Sequence, residues 1–296
     1  MSTRITTGMT QRNILADLNR VSERLTRTNQ KIASNREISR PSDDPFNTSR
    51  ALVLRTSMES TQQYQRNIQD AQGWQDAAET ALADITDAIK RAGELVLEGA
   101  SDSTPPDARL AIAAEIDQLI ESVKQNGNTT FRGRYVFSGT TTDVPPYAAA
   151  DDAYHGSTAD VERQIGPGVA LPIGVRASSF IGDGADGKLL QVLRDVSAHL
   201  TANDTAALGA DIARLDAKTD EVLGVRALNG ARSNRLEAAL GRLGEVEEAT
   251  LKQLSETEDV DIAKAMIDFS SQQAAYQAAL RAGASIIQPS LMDFLR

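Results

Sequence analysis

Apolar side chains recur along this chain at alternating steps of three and four residues, the period of a heptad seam rather than of a strand. Ile14, Leu18, Val21, Leu25, Thr28 and Ile32 keep that spacing near the start. A second seam runs through Ile68, Ala71, Gln75, Ala78, Leu82, Ile85, Ile89, Ala92 and Val96. It predicts a helix from about Asn47 to Glu98, roughly 75 Å long at 1.5 Å per residue. The third seam is the longest. It joins Leu208, Ile212, Leu215, Thr219, Val222, Arg226, Asn229, Ser233, Leu236, Leu240, Leu243, Glu247, Thr250 and Leu254 in one phase, through a polar centre that holds Gly230. That unbroken phase predicts one helix, or two nearly collinear ones. A fourth seam, Ile262, Met266, Phe269, Gln273, Tyr276, Leu280, Gly283 and Ile287, is out of phase with the third. SETE at 255–258 reads as a capping box there, with Asp259 or Asp261 as the cap. Shorter helices are predicted at about 106–127, opened by Pro105 and Pro106, and at about 187–201.

Two stretches interrupt the helical pattern. ISRPSDDP at 38–45 cannot be helical, because Pro41 and Pro45 remove donors and push Arg40 and Asp44 towards extended geometry. It mirrors the phase slip near 255–261. Both breaks separate an outer helix from a longer inner one, so Pro41, Asp43, Asp44 and Pro45 read as a joint between two stacked segments. The middle of the chain carries Pro145, Pro146, Pro167 and Pro172. Its runs RYVFSGTTT (134–142), ADVERQIG (159–166) and VALPIGVRASSF (169–180) predict strands of a small β-rich insert. The fold class is therefore mainly α with a small β-rich insert: an elongated antiparallel helical bundle, or coiled-coil rod, in which N- and C-terminal helices pair. The segments divide as 1–40, 41–129, 130–186, 187–256 and 257–296.

Composition narrows the chemistry. Aromatics make up only 4% of 296 residues, which suits helix seams better than one large core. The net charge of −10 makes nucleic acid a poor partner, although residues 1–60 carry ten Lys or Arg against six Asp or Glu. Arg12, Arg20, Arg24 and Arg27 read as a solvated helix face, or as facing acidic surface on an adjacent subunit. Cysteine is absent, which excludes disulfides and thiolate chemistry. His155 and His199 lack metal-site spacing. Asp43–Asp44 and Asp151–Asp152 sit beside turn formers and read as caps or solvated loops, and SGT at 138–140 lacks the context of a nucleophile elbow. Trp74 reads as a packing residue. No catalytic residue, metal or cofactor is predicted. No apolar run is long enough to span a membrane, and MSTRITTGMTQRN has no signal-peptide core.

Four motifs carry a resemblance. KIASNREISRPSDDPFNTSRAL (31–52), GRYVFSGT (133–140), RALNGARSNRLE (226–237) and LSETEDVDIAKAMIDFSSQQAAYQAAL (254–280) resemble, in this order, segments of the bacterial flagellin family. GRYVFSGT and the ending PSLMDFLR (289–296) resemble the branch that joins hook to filament more than flagellin itself. The resemblance implies a non-enzymatic structural protein of the flagellum, one of a ring of subunits between hook and filament; a short flagellin is the alternative. It implies export, unfolded, through the flagellar type III pathway without a cleaved signal peptide, and an extracellular location. The implied partners are copies of the chain, a neighbouring hook-associated protein on the hook side, flagellin or a further hook-associated protein on the filament side, and an export chaperone. The implied assembly interface is Ile14, Leu18, Val21, Leu25 and Ile32 with Ile262, Met266, Phe269, Tyr276, Leu280, Ile287, Leu291 and Leu295.

Overall fold

The computed structural model describes residues 7–148 and 151–294. Six helices appear among them: α1 (Thr7–Ser34), α2 (Pro45–Ala100), α3 (Pro106–Gly127), α4 (Leu189–Ala202), α5 (Thr205–Glu258) and α6 (Ile262–Phe294). Between α3 and α4 lie two antiparallel strand pairs, β1 (Thr130–Phe131) with β2 (Arg134–Tyr135) and β3 (Glu162–Gly166) with β4 (Val169–Pro172). The chain is mainly α with a small β insert. It divides into two compact units: Met1–Ser60 with Glu247–Arg296, and Thr61–Val246. Helices α2 and α5 contribute to both.

The larger unit, Thr61–Val246, holds the core. All nine seam positions of α2 from Ile68 to Val96 are buried, and Leu208, Leu215, Val222, Asn229 and Leu236 of α5 face them. The two helices run antiparallel, since Gln75 meets Asn229 and Ser233 while Glu79 pairs with Arg226. The polar centre of α5 is thus a layer inside the seam. Asn229 Nδ2 donates to the Gln75 carbonyl at 3.1 Å, Ser233 Oγ to Gln75 Oε1 at 2.8 Å, and Arg226 Nε to Glu79 Oε1 at 2.8 Å. A polar layer of this kind fixes register, because slipping by one turn would strand buried amides.

Gly230 sits on the solvent side of this layer, with nothing within 4 Å of where a Cβ would stand. The phase of the seam outweighs its helix cost, and α5 passes through it unbroken. Gly230→Ala therefore raises stability by about 1 kcal/mol, the helix-propensity difference. A lowered urea midpoint would show that the position is not free.

The insert contains less strand than the sequence pattern predicts. RYVFSGTTT forms two strand residues and then turns, with Gly139 at φ 62. A Cβ at Gly139 would stand 2.7 Å from the Ala159 carbonyl oxygen, so only glycine fits. Val136, Phe137 and Ser138 are all buried, and Phe137 packs edge-to-face on Phe180 at 5.7 Å. Consecutive residues are buried here, where a strand with one covered face would bury alternate ones. Trp74 is a core residue, edge-to-face with Phe131. The shorter helices α3 and α4 complete this core through Ile116, Ile120, Val192 and Val196.

Three charged side chains that look like solvated helix positions in sequence are structural here. Arg109, 5% exposed, donates to the Gly99 and Ser101 carbonyls at 2.7 and 2.9 Å and to Asn203 Oδ1, closing the carbonyl end of α2. Asp152 is an ion-pair centre rather than a solvated loop residue: Arg194 Nε and Nη2 donate to it at 2.9 and 3.2 Å, and Lys124 Nζ lies 3.3 Å away. The Arg194 hydrogen bonds hold the Asp152 carboxyl below the usual carboxylate range, against the burial that raises it. The unfolded chain therefore takes up this proton at a higher pH than the folded chain. The stability it contributes is full above the ordinary carboxylate pKa and is lost as pH falls through the lowered value. Asp152→Asn removes that part of the acid sensitivity, which denaturant midpoints at neutral and acid pH will read. An unchanged difference between the two would overturn the assignment.

Candidate assembly site

The smaller unit carries the predicted joint and most of the predicted interface. α1 ends where Asn35 turns left-handed at φ 55, and the Arg36 amide returns to the Lys31 carbonyl at 3.2 Å, a glycine-like helix stop. Asp43 Oδ2 accepts the Arg40 amide at 3.0 Å. Asp44 caps α2: its Oδ1 accepts the Asn47 amide at 3.0 Å and its Oδ2 the Asn47 side chain at 2.7 Å. Pro45 occupies the first helical position, where a missing N–H costs nothing.

The break between α5 and α6 lies beside this one. Arg36 and Asp259 form an antiparallel bridge, the Glu37 amide donates to the Glu258 carbonyl at 2.7 Å, and the Val260 amide to the Asn35 carbonyl at 3.3 Å. Arg55 forks onto Glu258 at 2.8 and 2.6 Å. The expected capping box does not form. SETE continues α5 to Glu258, and Asp261 alone caps α6, accepting the Lys264 amide at 3.1 Å.

Beyond the joint, α1 and α6 run antiparallel. Thr28 Oγ1 donates to Gln272 Oε1 at 3.0 Å, and a Cβ on Gly283 would stand 3.3 Å from Ile14. On α1 the predicted seam faces the partner helix: Ile14, Leu18, Val21, Leu25, Thr28 and Ile32 are all half-buried. On α6 the predicted seam is only half right. The covered positions are Ala265, Phe269, Gln272, Tyr276, Ala279 and Gly283. Phe269, Tyr276 and Gly283 belong to both series, but the alternate positions shift by one residue onto alanine and glutamine. Small residues there let the branched α1 seam approach closely. Ile262, Met266 and Leu280, chosen in sequence for their size, stand 44%, 52% and 45% exposed, with Ile267 beside them at 68%. Ile287 and Leu291 lie in helical backbone but their side chains, like Leu295 as a whole, lie outside the described residues.

This pairing buries little. Among the described residues of the smaller unit, only Ala51, Val260 and Ala265 count among the buried apolar side chains. Met9, Leu15, Phe46, Leu52, Val53 and Leu251 are exposed there as well. The basic side chains Arg12, Arg20, Arg24 and Arg27 lie on the exposed side of α1, Arg20 paired with Asp17. Among the described residues, no three His, Asp or Glu converge as a metal site needs, and no helix is long and apolar enough to cross a membrane.

Long paired terminal helices, a joint where both strands of the pair break together, and an insert on the inner helices define a class of protein. The chain belongs to the bacterial flagellin family. Residues 5–142 match the flagellin N-terminal helical region and residues 212–295 the C-terminal helical region. It is a structural protein of the bacterial flagellum. The flagellar hook-associated protein 3 of Salmonella typhimurium is 26% identical over 302 residues, covering 94% of this chain and 95% of that protein. The flagellin of Bacillus subtilis is 27% identical over 284 residues, covering 90% and 91%. The crystal structure of Bacillus cereus FlgL shares the fold, with a TM-score of 0.59 at 22% identity, over 69% of this chain and 99% of that one.

Proposed function

We propose that this chain is the subunit of the ring that joins the flagellar hook to its filament. The observation that carries the assembly reading is the smaller unit's lack of a core. Among its described residues only Ala51, Val260 and Ala265 are buried apolar side chains, while α6 exposes Ile262, Met266, Ile267 and Leu280. Copies of the chain, and the proteins above and below them, cover these side chains. The inner seam of α1 and α6 holds the pair together within one chain, and the outer face of α6 meets neighbours. The joint at Pro41, Asp43, Asp44 and Pro45 marks where this assembly segment, 1–40 with 257–296, begins.

The junction role, rather than that of a filament subunit, is supported by the motifs GRYVFSGT and PSLMDFLR. Identity does not choose between the two, since the flagellin relative is equally similar. The partners are a hook-associated protein on the hook side, and flagellin or a further hook-associated protein on the filament side. The chain travels unfolded through the flagellar type III pathway with an export chaperone, and the absence of cysteine suits that passage.

A strain lacking this gene tests the reading. Hooks without filaments, with flagellin shed into the medium, are the expected outcome. Loss of the filament subunit itself, with none in the medium, would make the chain a flagellin.

A further inference from the structure

The larger unit carries a basic cleft that neither its core nor the joint explains. It lies between α2, the β1–β2 turn and β3, has a volume of about 270 Å³, and is lined by Asp70, Trp74, Phe131, Arg132, Arg134 and Arg163. Two guanidiniums hold one carboxylate, and a third lines the cleft beside them. Arg132 Nη1 and Arg163 Nε each reach Asp70 at 3.1 Å, one on either oxygen. Arg132 also lies 5.1 Å over the Phe131 ring and remains 73% exposed at its side chain. Arg134 is exposed and has no ion pair among the described residues. Arg66 is exposed on α2 one turn before Asp70, and donates to neutral Gln63 at 2.8 Å.

The turn that presents this cluster is strained. Arg132 holds φ 50, followed by Gly133 at φ 76, positions where a two-residue hairpin favours asparagine then glycine. Arginine there carries a backbone cost that Asp70 and Phe131 offset only in part.

The chain offers a complement to this cleft. Its net charge is −10, and residues 1–60 are basic, so the excess of acid lies elsewhere. Asp216 and Asp220 stand one turn apart on α5, both exposed and with no ion pair among the described residues. They cannot reach the cleft of their own chain. Gln75 of α2 opposes Asn229 of α5; Asp70 lies five residues one way and Asp220 nine the other, so roughly 20 Å of helix separates them.

We propose that the Arg132–Arg134–Arg163 cleft docks the Asp216–Asp220 face of a second copy of this chain. This deepens the ring reading above and rests on it. The two faces differ and lie apart on one unit, so the contact is head-to-tail, the kind that closes into a ring. Paired across neighbours, the guanidiniums offset the repulsion between acidic units that a ring brings side by side.

Cross-linking in isolated flagella tests the contact, and the absence of native cysteine keeps it clean. An Arg–Asp pair holds its Cα atoms farther apart than the roughly 7 Å a disulfide tolerates, so a short bismaleimide is the reagent. The double variant Arg134→Cys with Asp220→Cys gives a ladder of linked copies at the expense of the monomer band. Each single variant gives none, and Arg134→Cys with Asp102→Cys, an exposed acid at the far end of α2, gives none. Chain present in the flagella with no ladder overturns this contact and leaves the junction role standing. Chain absent from the flagella, for the unsubstituted protein, overturns both. A ladder with the Asp102 variant as well would mean nonspecific proximity and would overturn the assignment of the face.

Discussion

Leu280→Asp removes the chain from isolated flagella while the larger unit unfolds at its normal denaturant concentration. Leu280 is 45% exposed at the edge of the covered stripe of α6, so a carboxylate there stays hydrated in the monomer and changes stability by about 0.5 kcal/mol or less. In an assembled neighbour contact the same carboxylate loses water without gaining a partner, which costs several kcal/mol. Each 1.4 kcal/mol is tenfold in affinity, so even about 3 kcal/mol per contact is more than a hundredfold, repeated at every subunit. Leu280→Met keeps the apolar contact and assembles. Leu18→Asp differs in mechanism: Leu18 is half-buried against Gly283, so it separates α1 from α6 before any neighbour arrives. Normal assembly of Leu280→Asp would show that the outer face meets nothing. Unfolding of Thr61–Val246 in that variant would show that the two units do not stand separately.

The largest loss of stability is expected at Phe137→Ala, about 3–5 kcal/mol. The ring is fully buried and edge-to-face with Phe180, and its backbone carbonyl accepts both the Ala177 amide at 3.0 Å and the Tyr154 hydroxyl at 3.1 Å. Removing it leaves a cavity at the point where the two halves of the insert meet. Trp74 is the single tryptophan and is buried against Phe131, so its fluorescence reports the unfolding. The urea midpoint should fall with the slope unchanged. An unmoved midpoint would mean that the insert frays separately from the helical core.

How much of this was legible in sequence depended on what each residue packs against. The α2 seam was readable position by position, because its inner face meets several elements and all nine of its positions are buried. The joint was readable because proline and the aspartates beside it act locally, through donors removed and amides capped. The α6 seam was misread by one residue at alternate turns. Size marks the buried face only when the partner is flat, and here the partner α1 brings the bulk. Met266 and Leu280 therefore stand exposed beside the α1 contact instead of within it. Arg109, Lys124 and Arg194 gave no signal at all, since a charged residue in a helix looks alike whether it meets water or a carbonyl.

By itself the sequence determined the helices, their breaks, the antiparallel pairing implied by matching seams, and the family. Those follow from period, from capping chemistry and from backbone restriction, all of which act within a few residues. Only the tertiary structure decided which positions of α6 are free, that the polar centre of α5 is a buried register layer, and that Arg132 and Arg163 meet on Asp70 with Arg134 lining the same cleft. Each of these depends on groups far apart in the chain meeting in space, where burial and charge are set by neighbours that no local pattern specifies.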